Sequence, residues 1–316
     1  MLVLVTGATG FLGRRVVQHL LDHHHSVRCL VHTPGGERIF EDRSLDIYYG
    51  NVSDPEALSE ALQGVDAVIH LVAIIRQRRG ATFDAINRQG TANVAAAAKQ
   101  STVKHFIHVS ANGVTNDSSY KYLYSKLQGE QEVISSGLSY TIFRPALMYG
   151  RGDEFLNTLA GLTRILPVVP VVGSGRNRFQ PIDVDDVARS LVLAVDRQDL
   201  KGKILEIGGP EQLSYNDILA AVARTLGKRR WRLHLPVWLM YLATLVIQIV
   251  QPRPAITTEQ LRMVTRRNVS EFGVVEQTFG FTPKVMEGNI DYVKSVTAGD
   301  GFSIAMGLRP TRVRDH

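Results

Sequence analysis

A glycine-rich loop at the start of the chain constrains its fold more than any other sequence feature. An apolar run over residues 2–5 precedes the loop, and an amphipathic helical pattern over residues 14–21 follows it. The loop itself consists of Thr6, Gly7, Ala8, Thr9, Gly10, Phe11, Leu12 and Gly13. A strand, a glycine loop and a helix in this order predict the first unit of a parallel α/β sheet that binds phosphate groups.

Each of the three glycines has its own physical reason to be there. Gly7 can turn the chain tightly, Gly10 lets the backbone approach a pyrophosphate, and Gly13 allows the helix to pack closely on the strand. The N-terminus of the helix offers N–H groups and a positive dipole end to the phosphates. We therefore predict a dinucleotide site with contacts from Thr6, Gly7, Thr9, Gly10, Phe11, Leu12, Gly13 and Arg14.

Short apolar runs alternate with helical patterns through the first half of the chain. The runs cover residues 2–5, 27–31, 47–49, 67–71, 106–109 and 140–143. This alternation predicts an α/β fold, a Rossmann-type doubly wound parallel sheet with helices on both faces. Beyond residue 150 the pattern weakens among prolines and glycines, which predicts a smaller C-terminal lobe.

The same pattern predicts where the parts of the chain begin and end. We expect an NAD(P)-binding Rossmann domain over residues 1–150, with 180–195 as a candidate return to it. Residues 151–296 then form the smaller lobe, which would contact a substrate or partner. Residues 297–316 are polar, glycine-bearing and basic, and we expect a flexible tail there.

The end of the second predicted strand bears on the choice of cofactor. NAD-binding proteins commonly have an acid there, which accepts hydrogen bonds from the ribose hydroxyls. Here the sequence reads Leu30, Val31, His32 and Thr33. Because Arg14, His32 and Arg38 would surround a 2′-phosphate with positive charge, we expect NADP(H) to be favoured over NAD(H). NAD(H) stays open as the alternative.

A tyrosine and a lysine four residues apart form the candidate catalytic pair. Tyr122 and Lys126 share one face of a predicted helix. An ammonium group beside a phenol lowers the pKa of that phenol, which makes it a better proton donor or acceptor, and the lysine can also hold a ribose hydroxyl. The pair therefore favours proton transfer beside a dinucleotide.

Together these motifs resemble the extended short-chain dehydrogenase/reductase superfamily over most of the chain, roughly residues 1–295. Within that superfamily, the segment from His70 to Arg76 looks most like the atypical group that contains the nucleotide-binding accessory subunit of respiratory complex I. The other shared motifs are Gly50-Asn51-Val52, Asn87 to Thr91, Arg144-Pro145, Phe179 to Ile182, Asp185 to Ala188 and Gly208-Gly209-Pro210.

The resemblance implies roles for individual residues. It implies further cofactor contacts at Asn51, Val52, Leu71, Val72, Ala73, Lys126, Arg144 and Pro145. For catalysis it implies Tyr122 and Lys126, a relay water held by Asn87, and Ser110 as the nearest hydroxyl to the position of the family's serine. In register that serine falls on Ala111, which cannot hydrogen-bond a substrate carbonyl. This difference from the family's pattern counts against dehydrogenase chemistry more than against cofactor binding.

Composition limits the compartments and partners. The 36 basic and 30 acidic residues give a net charge of +6, which favours anionic partners such as phosphates or acidic lipid. The sequence has no basic platform with interleaved aromatic residues, which would indicate nucleic-acid binding, so we expect no nucleic-acid partner.

The cysteine content and the start of the sequence bear on the compartment. The single cysteine, Cys29, fits a reducing, cytoplasmic compartment, and we expect no signal peptide because residues 2–5 belong to the glycine motif. The adjacent His23, His24 and His25 diverge, and we expect no metal site.

The segment over residues 228–250 is the hardest to place. Residues 236–250 read as a helix that is apolar nearly all round, with Tyr241, Thr244 and Gln248 on one polar stripe. A basic and aromatic cluster lies just upstream at Lys228, Arg229, Arg230, Trp231 and Arg232. We expect the helix to be buried in the second lobe or in a subunit contact, with peripheral membrane contact as the alternative.

Two classes of function fit these features. In the first, the nucleotide is structural and the protein is an accessory, assembly or redox-sensing component of a respiratory or quinone-linked system, with a larger protein complex as a candidate partner. In the second, it is an NADP-dependent oxidoreductase or epimerase that uses Tyr122 and Lys126 on a carbonyl, quinone or nucleotide-sugar-like substrate. Ala111 favours the first class, and Tyr122 with Lys126 keeps the second open.

Overall fold

The computed structural model describes residues 1–40, 44–78, 80–251 and 254–308. The strands are β1 (Leu2–Thr6), β2 (Ser26–Val31), β3 (Asp46–Tyr49), β4 (Ala67–His70), β5 (His105–Val109), β6 (Tyr140–Pro145), β7 (Met148–Tyr149), β8 (Val168–Val172), β9 (Arg178–Phe179), β10 (Ile182–Asp183), β11 (Lys203–Ile207), β12 (Leu213–Ser214) and β13 (Trp231–Leu235). The α-helices are α1 (Gly13–Asp22), α2 (Pro55–Ala61), α3 (Gly90–Lys99), α4 (Lys121–Ser135), α5 (Phe155–Ile165), α6 (Val184–Ala194), α7 (Tyr215–Thr225), α8 (Val237–Val250), α9 (Thr258–Val264), α10 (Val274–Phe279) and α11 (Ala298–Ala305). Short 3-10 turns lie at Gly36–Phe40, Gln198–Leu200 and Asp291–Ser295, and a π-helical turn at Asp84–Gln89 leads into α3.

Seven strands form one parallel sheet in the order β11-β6-β5-β4-β1-β2-β3. Helices α2, α3 and α4 share an apolar core with the strands, whereas α1 and α6 pack on each other. The predicted Rossmann-type doubly wound fold is therefore confirmed. The chain runs outward from β1 to β3 and then crosses to β4 on the other side of β1. The carboxyl ends of β1 and β4 thus flank the switch point, where such sheets bind ligands.

The chain divides into two compact units. Unit 1 contains residues 1–145, 184–207 and 273–281, and unit 2 contains residues 146–183, 208–272 and 282–316. The segment 273–281 is a part of unit 1 that the sequence pattern did not indicate. It is held there by apolar contacts, because the ring of Phe279 stacks on that of Phe143 with 6.0 Å between centroids.

Unit 2 has its own apolar core and extends further along the chain than the sequence predicted. The expected flexible tail is wrong for residues 297–308, where α11 begins with a capping box formed by Thr297 and Asp300. Helix α11 packs on α5 because two glycines meet: a Cβ on Gly301 would lie 2.5 Å from the carbonyl oxygen of Gly161. Residues 309–316 of the predicted tail lie outside the described residues.

Helix α8 corrects a second expectation. Its predicted burial in the smaller lobe is wrong, because Thr244 is its one buried residue. Most of its apolar side chains are exposed, among them Trp238, Leu242 and Val246. Among the described residues, every helix is too short or too polar to cross a bilayer.

Candidate functional site

The glycine loop of unit 1 forms an open cradle between β1 and α1. Gly7 has φ of +77°, and its carbonyl oxygen accepts a hydrogen bond of 3.0 Å from the Gly10 N–H. A Cβ on Gly13 would lie 2.2 Å from that same oxygen, so only glycine allows α1 to begin there. Gly10, by contrast, is exposed, and its outer side is open to a ligand. The arrangement predicted for the three glycines is therefore present.

Backbone from the segment after β4 closes one side of the cradle. The Leu71 N–H donates to the Thr6 carbonyl over 3.1 Å, which extends the pairing of β4 with β1. A Cβ on Gly7 would lie 3.2 Å from the backbone nitrogen of Val72. Ala73, the next predicted contact, is exposed. The structure thus brings the predicted cofactor residues 71–73 directly beside the glycine loop.

Two other predicted contacts lie on the turn after β3. The Asn51 side-chain oxygen accepts a hydrogen bond of 2.7 Å from the Ser53 N–H, which shapes this turn. Val52 is buried, and its carbonyl accepts a hydrogen bond of 2.9 Å from the Asn93 amide of α3. Asn51 therefore shapes the turn, and Val52 fastens it to α3.

Asn87 has a different role from the predicted relay. Its side-chain oxygen accepts from the Ile74 N–H over 2.8 Å, and its Nδ2 donates to the Ile74 carbonyl over 3.1 Å. The same Nδ2 donates to the Ser125 hydroxyl over 3.0 Å. Because these bonds occupy both ends of the amide, Asn87 acts here as a positioning residue for the segment after β4.

A buried chain of hydrogen-bonded side chains lies beneath the site, and the sequence analysis did not predict it. The Thr6 hydroxyl and His70 Nδ1 are 2.7 Å apart, and His70 Nε2 lies 3.1 Å from the Thr91 hydroxyl. Burial lowers the pKa of His70 to about 3, so the ring is neutral. Thr6 is fully buried and its hydroxyl is committed to His70. The predicted cofactor contact of Thr6 stays a prediction, and in this structure its hydroxyl is bonded inside the protein.

A second histidine stacks on this chain. The rings of His108 and His70 are 5.4 Å apart and nearly parallel. Among the described residues, neither ring nitrogen of His108 has a hydrogen-bond partner. Burial, with Lys126 as the next contribution, lowers the pKa of His108 well below its usual value. The sequence could have predicted this burial, because His108 follows the apolar Phe106 at a spacing of two and so lies on the same face of strand β5.

Tyr122 and Lys126 both lie on α4 and are buried. The Lys126 Nζ donates to the Val109 carbonyl at the end of β5 over 2.7 Å. Burial lowers the pKa of Lys126 to about 8 and raises the pKa of Tyr122 to about 12. The expected lowering of the phenol pKa is therefore wrong for this structure, because desolvation of the buried Tyr122 raises it.

The end of β5 also carries the candidate serine. The Ser110 N–H donates to the Phe143 carbonyl over 2.7 Å, and the residue is buried. Its hydroxyl has no hydrogen-bond partner among the described residues. Ala111 follows it and is half-buried. Ala111, on which the resemblance places the family's serine, therefore offers a methyl group and no hydroxyl.

Arg144 is committed to two acids of unit 1. Its guanidinium forms a bidentate pair with Glu130, at 2.9 and 2.7 Å, and a further bond of 3.0 Å to Glu206. Glu130 is almost fully buried, so losing Arg144 would leave its charge uncompensated. Pro145 is buried and its carbonyl accepts from the Asn112 N–H over 2.9 Å. These contacts give Arg144 and Pro145 a structural role, and their predicted cofactor contact stays a prediction.

An acid that the sequence reasoning passed over lies just beyond β2. Glu37 accepts a hydrogen bond of 2.8 Å from the Gly35 N–H and one of 3.0 Å from the Tyr49 hydroxyl. This turn lies against the glycine loop, because a Cβ on Gly36 would be 3.6 Å from the Thr9 methyl carbon. His32, the predicted contact nearby, is exposed.

The residues present fit a dinucleotide. The open backbone at Gly10 and the first turn of α1 form a cradle that any Cβ would partly fill, and such a cradle suits a pyrophosphate. Lys126 and Tyr122 lie at the carboxyl ends of the central strands, where a nicotinamide ribose would extend. Among the described residues, no group of three metal-binding side chains converges.

Comparisons with known proteins identify the family of this chain. A family model described as "NAD dependent epimerase/dehydratase family" matches residues 3–208. The ceramide reductase of Caulobacter vibrioides is 32% identical over 236 residues, which are 74% of this chain and 73% of that protein. Subunit 9 of the mitochondrial NADH dehydrogenase [ubiquinone] 1 alpha subcomplex of Mus musculus is 35% identical over 214 residues. These matches confirm the family resemblance predicted from the motifs.

The extent of the matches differs between these relatives. The aligned region covers 66% of this chain and 56% of the mouse subunit, so the chain spans little more than half of that protein's length. A solved NADPH-dependent quinone oxidoreductase from Escherichia coli, in complex with NADPH, superposes with a TM-score of 0.74 over 93% of this chain and 98% of that one. At 18% identity, this likeness shows the fold alone.

Proposed function

Because the chain belongs to the NAD dependent epimerase/dehydratase family, we propose that unit 1 binds a nicotinamide dinucleotide without necessarily turning over a substrate. In this proposal the protein is a nucleotide-binding accessory, assembly or redox-sensing component of a respiratory or quinone-linked system. The supporting observation is a contrast within one site. The cradle at Gly10 is intact, whereas Ala111 stands where a hydroxyl would hold a carbonyl.

The buried groups around the cradle support a binding role. Asn87 and Lys126, which the family resemblance associates with catalysis, are both hydrogen-bonded to backbone in this structure. Tyr122 has a pKa of about 12, so at neutral pH its phenol is protonated and is a poor base. These contacts are compatible with a site that holds a nucleotide without turning over a substrate.

The second candidate is an NADP-dependent oxidoreductase or epimerase, and Tyr122 with Lys126 is the observation that favours it. The bound nucleotide would supply or accept a hydride at its nicotinamide ring. Lys126 would hold a ribose hydroxyl with an N–H other than the one that it donates to the Val109 carbonyl, and the protonated Tyr122 would donate its proton to a carbonyl oxygen. The substrate could be a carbonyl compound, a quinone or a nucleotide-sugar-like molecule.

For the cofactor we propose NADP(H) over NAD(H). The exposed His32 and Arg38 lie on the turn after β2, where a 2′-phosphate would sit. Both carboxylate oxygens of Glu37, the acid of this turn, already accept hydrogen bonds from Gly35 and Tyr49. These two bonds hold Glu37 in place within the turn.

We place the protein in the cytoplasm, at the periphery of a membrane, and in contact with a larger protein complex. The similarity to a subunit of a respiratory NADH dehydrogenase supports the complex. The exposed apolar side chains of helix α8 support an interaction surface that a membrane or another protein covers. Either function, nucleotide-binding component or oxidoreductase, is compatible with this location.

Two measurements separate the functions. Mass spectrometry of the nucleotide released from the purified protein identifies the cofactor, and we expect NADP(H). Loss of NADPH absorbance is then followed with carbonyl compounds and quinones, beside a Tyr122→Phe control. An accessory protein gives bound nucleotide and no turnover above that control. Turnover that Tyr122→Phe abolishes would establish the oxidoreductase instead, and purified protein that binds neither nucleotide would contradict both.

A further inference from the structure

Helix α8 in unit 2 is amphipathic in the opposite sense from an ordinary surface helix. Its polar stripe faces the protein: Thr244 is buried, and the Gln248 side-chain oxygen accepts from the Thr258 N–H over 2.8 Å. The ring of Tyr241 on the same stripe lies under the Arg262 guanidinium at 5.6 Å. Gln251, one turn further, donates to the Ala305 carbonyl over 3.0 Å. Polar groups therefore fasten the helix to unit 2 and leave its apolar side turned outward.

The outward side is apolar along the whole helix. Trp238, Leu242, Val246 and Ile249 recur at spacings of three and four residues and so share one face. Trp238 is 65% exposed, Val246 60% and Ile249 84%. A continuous apolar face of this kind is rare on a protein that works alone in water, and it marks an interaction surface.

A cluster of positive charge lies on the segment just before this helix. Lys228, Arg229, Arg230 and Arg232 precede α8, and residues 228–251 include no aspartate or glutamate. Together with Arg224 they line a cleft of about 200 Å³ next to α7, whose other walls are Leu219, Ala220 and Ala223. A cleft with this lining suits the phosphate of a lipid headgroup. Trp231, within the same stretch, is 80% exposed.

We propose that residues 228–250, the basic–apolar segment, dock unit 2 on the surface of an anionic lipid bilayer. The 14 residues of α8 span about 21 Å, which is too short to cross a bilayer but sufficient to lie in its interface. The apolar face enters the acyl boundary, the basic residues meet the anionic headgroups, and the two tryptophans take the interfacial position that their rings favour.

Charge argues for lipid over a second copy of the chain. An isologous contact through α8 would bring together the same surface from two copies. Each copy would contribute the cluster at Lys228, Arg229, Arg230 and Arg232 without an acid from residues 228–251 to pair with it. An anionic bilayer neutralises this cluster and covers α8 at the same time. The proposal is independent of the nucleotide site, because every residue it uses belongs to unit 2.

Tryptophan fluorescence gives a direct test, because the chain has two tryptophans and both lie in the basic–apolar segment. The full-length protein is mixed with vesicles of phosphatidylcholine alone or with added phosphatidylglycerol. We expect a blue shift and quenching by brominated acyl chains only with the anionic vesicles, and flotation with them that weakens as salt is added. An emission maximum that stays the same with both kinds of vesicle would overturn the proposal.

Variants separate the two parts of the surface. Val246→Glu with Ile249→Glu keeps the fold, because both side chains are exposed, but should abolish flotation. Lys228→Gln with Arg229→Gln should weaken binding about tenfold or more, whereas Arg176→Gln with Lys203→Gln removes the same charge elsewhere and should weaken it less. The proposal fails if Val246→Glu with Ile249→Glu unfolds the protein. It also fails if this variant only dissociates a dimer and neither it nor the wild type binds vesicles, because α8 then belongs to a protein contact.

Discussion

The ammonium group of Lys126 donates to the carbonyl oxygen of Val109 over 2.7 Å, at the carboxyl end of the central strand β5. This bond joins helix α4 to the edge of the sheet where the glycine cradle opens. It also gives a buried charge a partner, although burial still lowers the pKa of Lys126 to about 8. An ammonium group has three N–H donors, so Lys126 could also donate to a ribose hydroxyl while it keeps this bond.

The first prediction concerns turnover. If the protein reduces a carbonyl or quinone, Tyr122→Phe should lower kcat by about a hundredfold or more, because the ring stays but its proton is lost. The Kd for NADPH should change less than twofold, since the phenol is not part of the phosphate cradle. Steady-state kinetics and a nucleotide titration on the same preparations measure both. Full activity in Tyr122→Phe would locate the proton donor elsewhere.

The second prediction concerns Ala111. Ala111→Ser should raise carbonyl reduction by about tenfold, because the new hydroxyl would hold the substrate oxygen, and Ala111→Gly is the matched control. The position is half-buried at the end of the strand, so a hydroxyl can be accommodated. Rates that are equal in the wild type, Ala111→Ser and Ala111→Gly would show that carbonyl positioning does not limit this protein.

The third prediction concerns the choice between the two cofactors. NADPH should bind more tightly than NADH, and Arg38→Gln should reduce that preference by about fivefold to tenfold through the loss of one charge-assisted hydrogen bond. The affinity for NADH should be unchanged, because NADH has no 2′-phosphate. Fluorescence titrations at equal ionic strength measure all four affinities. Tighter NADH binding by the wild type would instead indicate that Glu37 contacts the ribose.

The fourth prediction concerns the buried histidines. His108 has two ring nitrogens without hydrogen-bond partners among the described residues, and it stacks on His70. His108→Phe keeps the ring and removes the unsatisfied polar atoms. It should therefore raise the free energy of unfolding at pH 7 by about 1 to 2 kcal/mol. Urea denaturation measures the change, and a loss of stability would show that His108 has a polar partner after all.

The same histidines set the response to acid. The pKa of His70 is lowered to about 3 in the folded protein from 6.5, so between these values the unfolded chain binds a proton that the folded chain does not. The free energy of unfolding should therefore fall as pH decreases from 6.5 to 4.5, by about 2 to 3 kcal/mol from His70 alone. Because the pKa of His108 is lowered too, the decline should be shallower in His108→Phe.

The sequence predicted those features whose cause is local. The strand, loop and helix around Gly10 follow from adjacent residues, and the doubly wound sheet follows from the alternation of apolar runs and helical patterns. Contacts over long sequence separations were not predictable. Examples are the pairing of Arg144 with Glu206 and the stacking of Phe143 on Phe279.

Burial was the other source of error. The pattern of α8 showed an apolar helix with one polar stripe, but it could not show which side faces the protein. The polar stripe turned out to be the inner one because Gln248 and Gln251 find backbone partners there. Likewise, the spacing of Tyr122 and Lys126 predicted a shared helix face but not the desolvation that raises the phenol pKa.

The most direct test of the account is a titration of NADPH and NADH into the wild type and into Gly10→Leu. The substitution places a side chain on the open side of the cradle, and a Cβ there lies 3.1 Å from the Gly7 carbonyl oxygen. Circular dichroism and thermal unfolding confirm that the variant is folded, with Gly299→Ala at an exposed position of α11 as a control. We predict that the wild type and Gly299→Ala bind nucleotide and that Gly10→Leu loses at least tenfold in affinity for both forms. Equal affinity in a folded Gly10→Leu would contradict the assignment of the glycine loop as the nucleotide site.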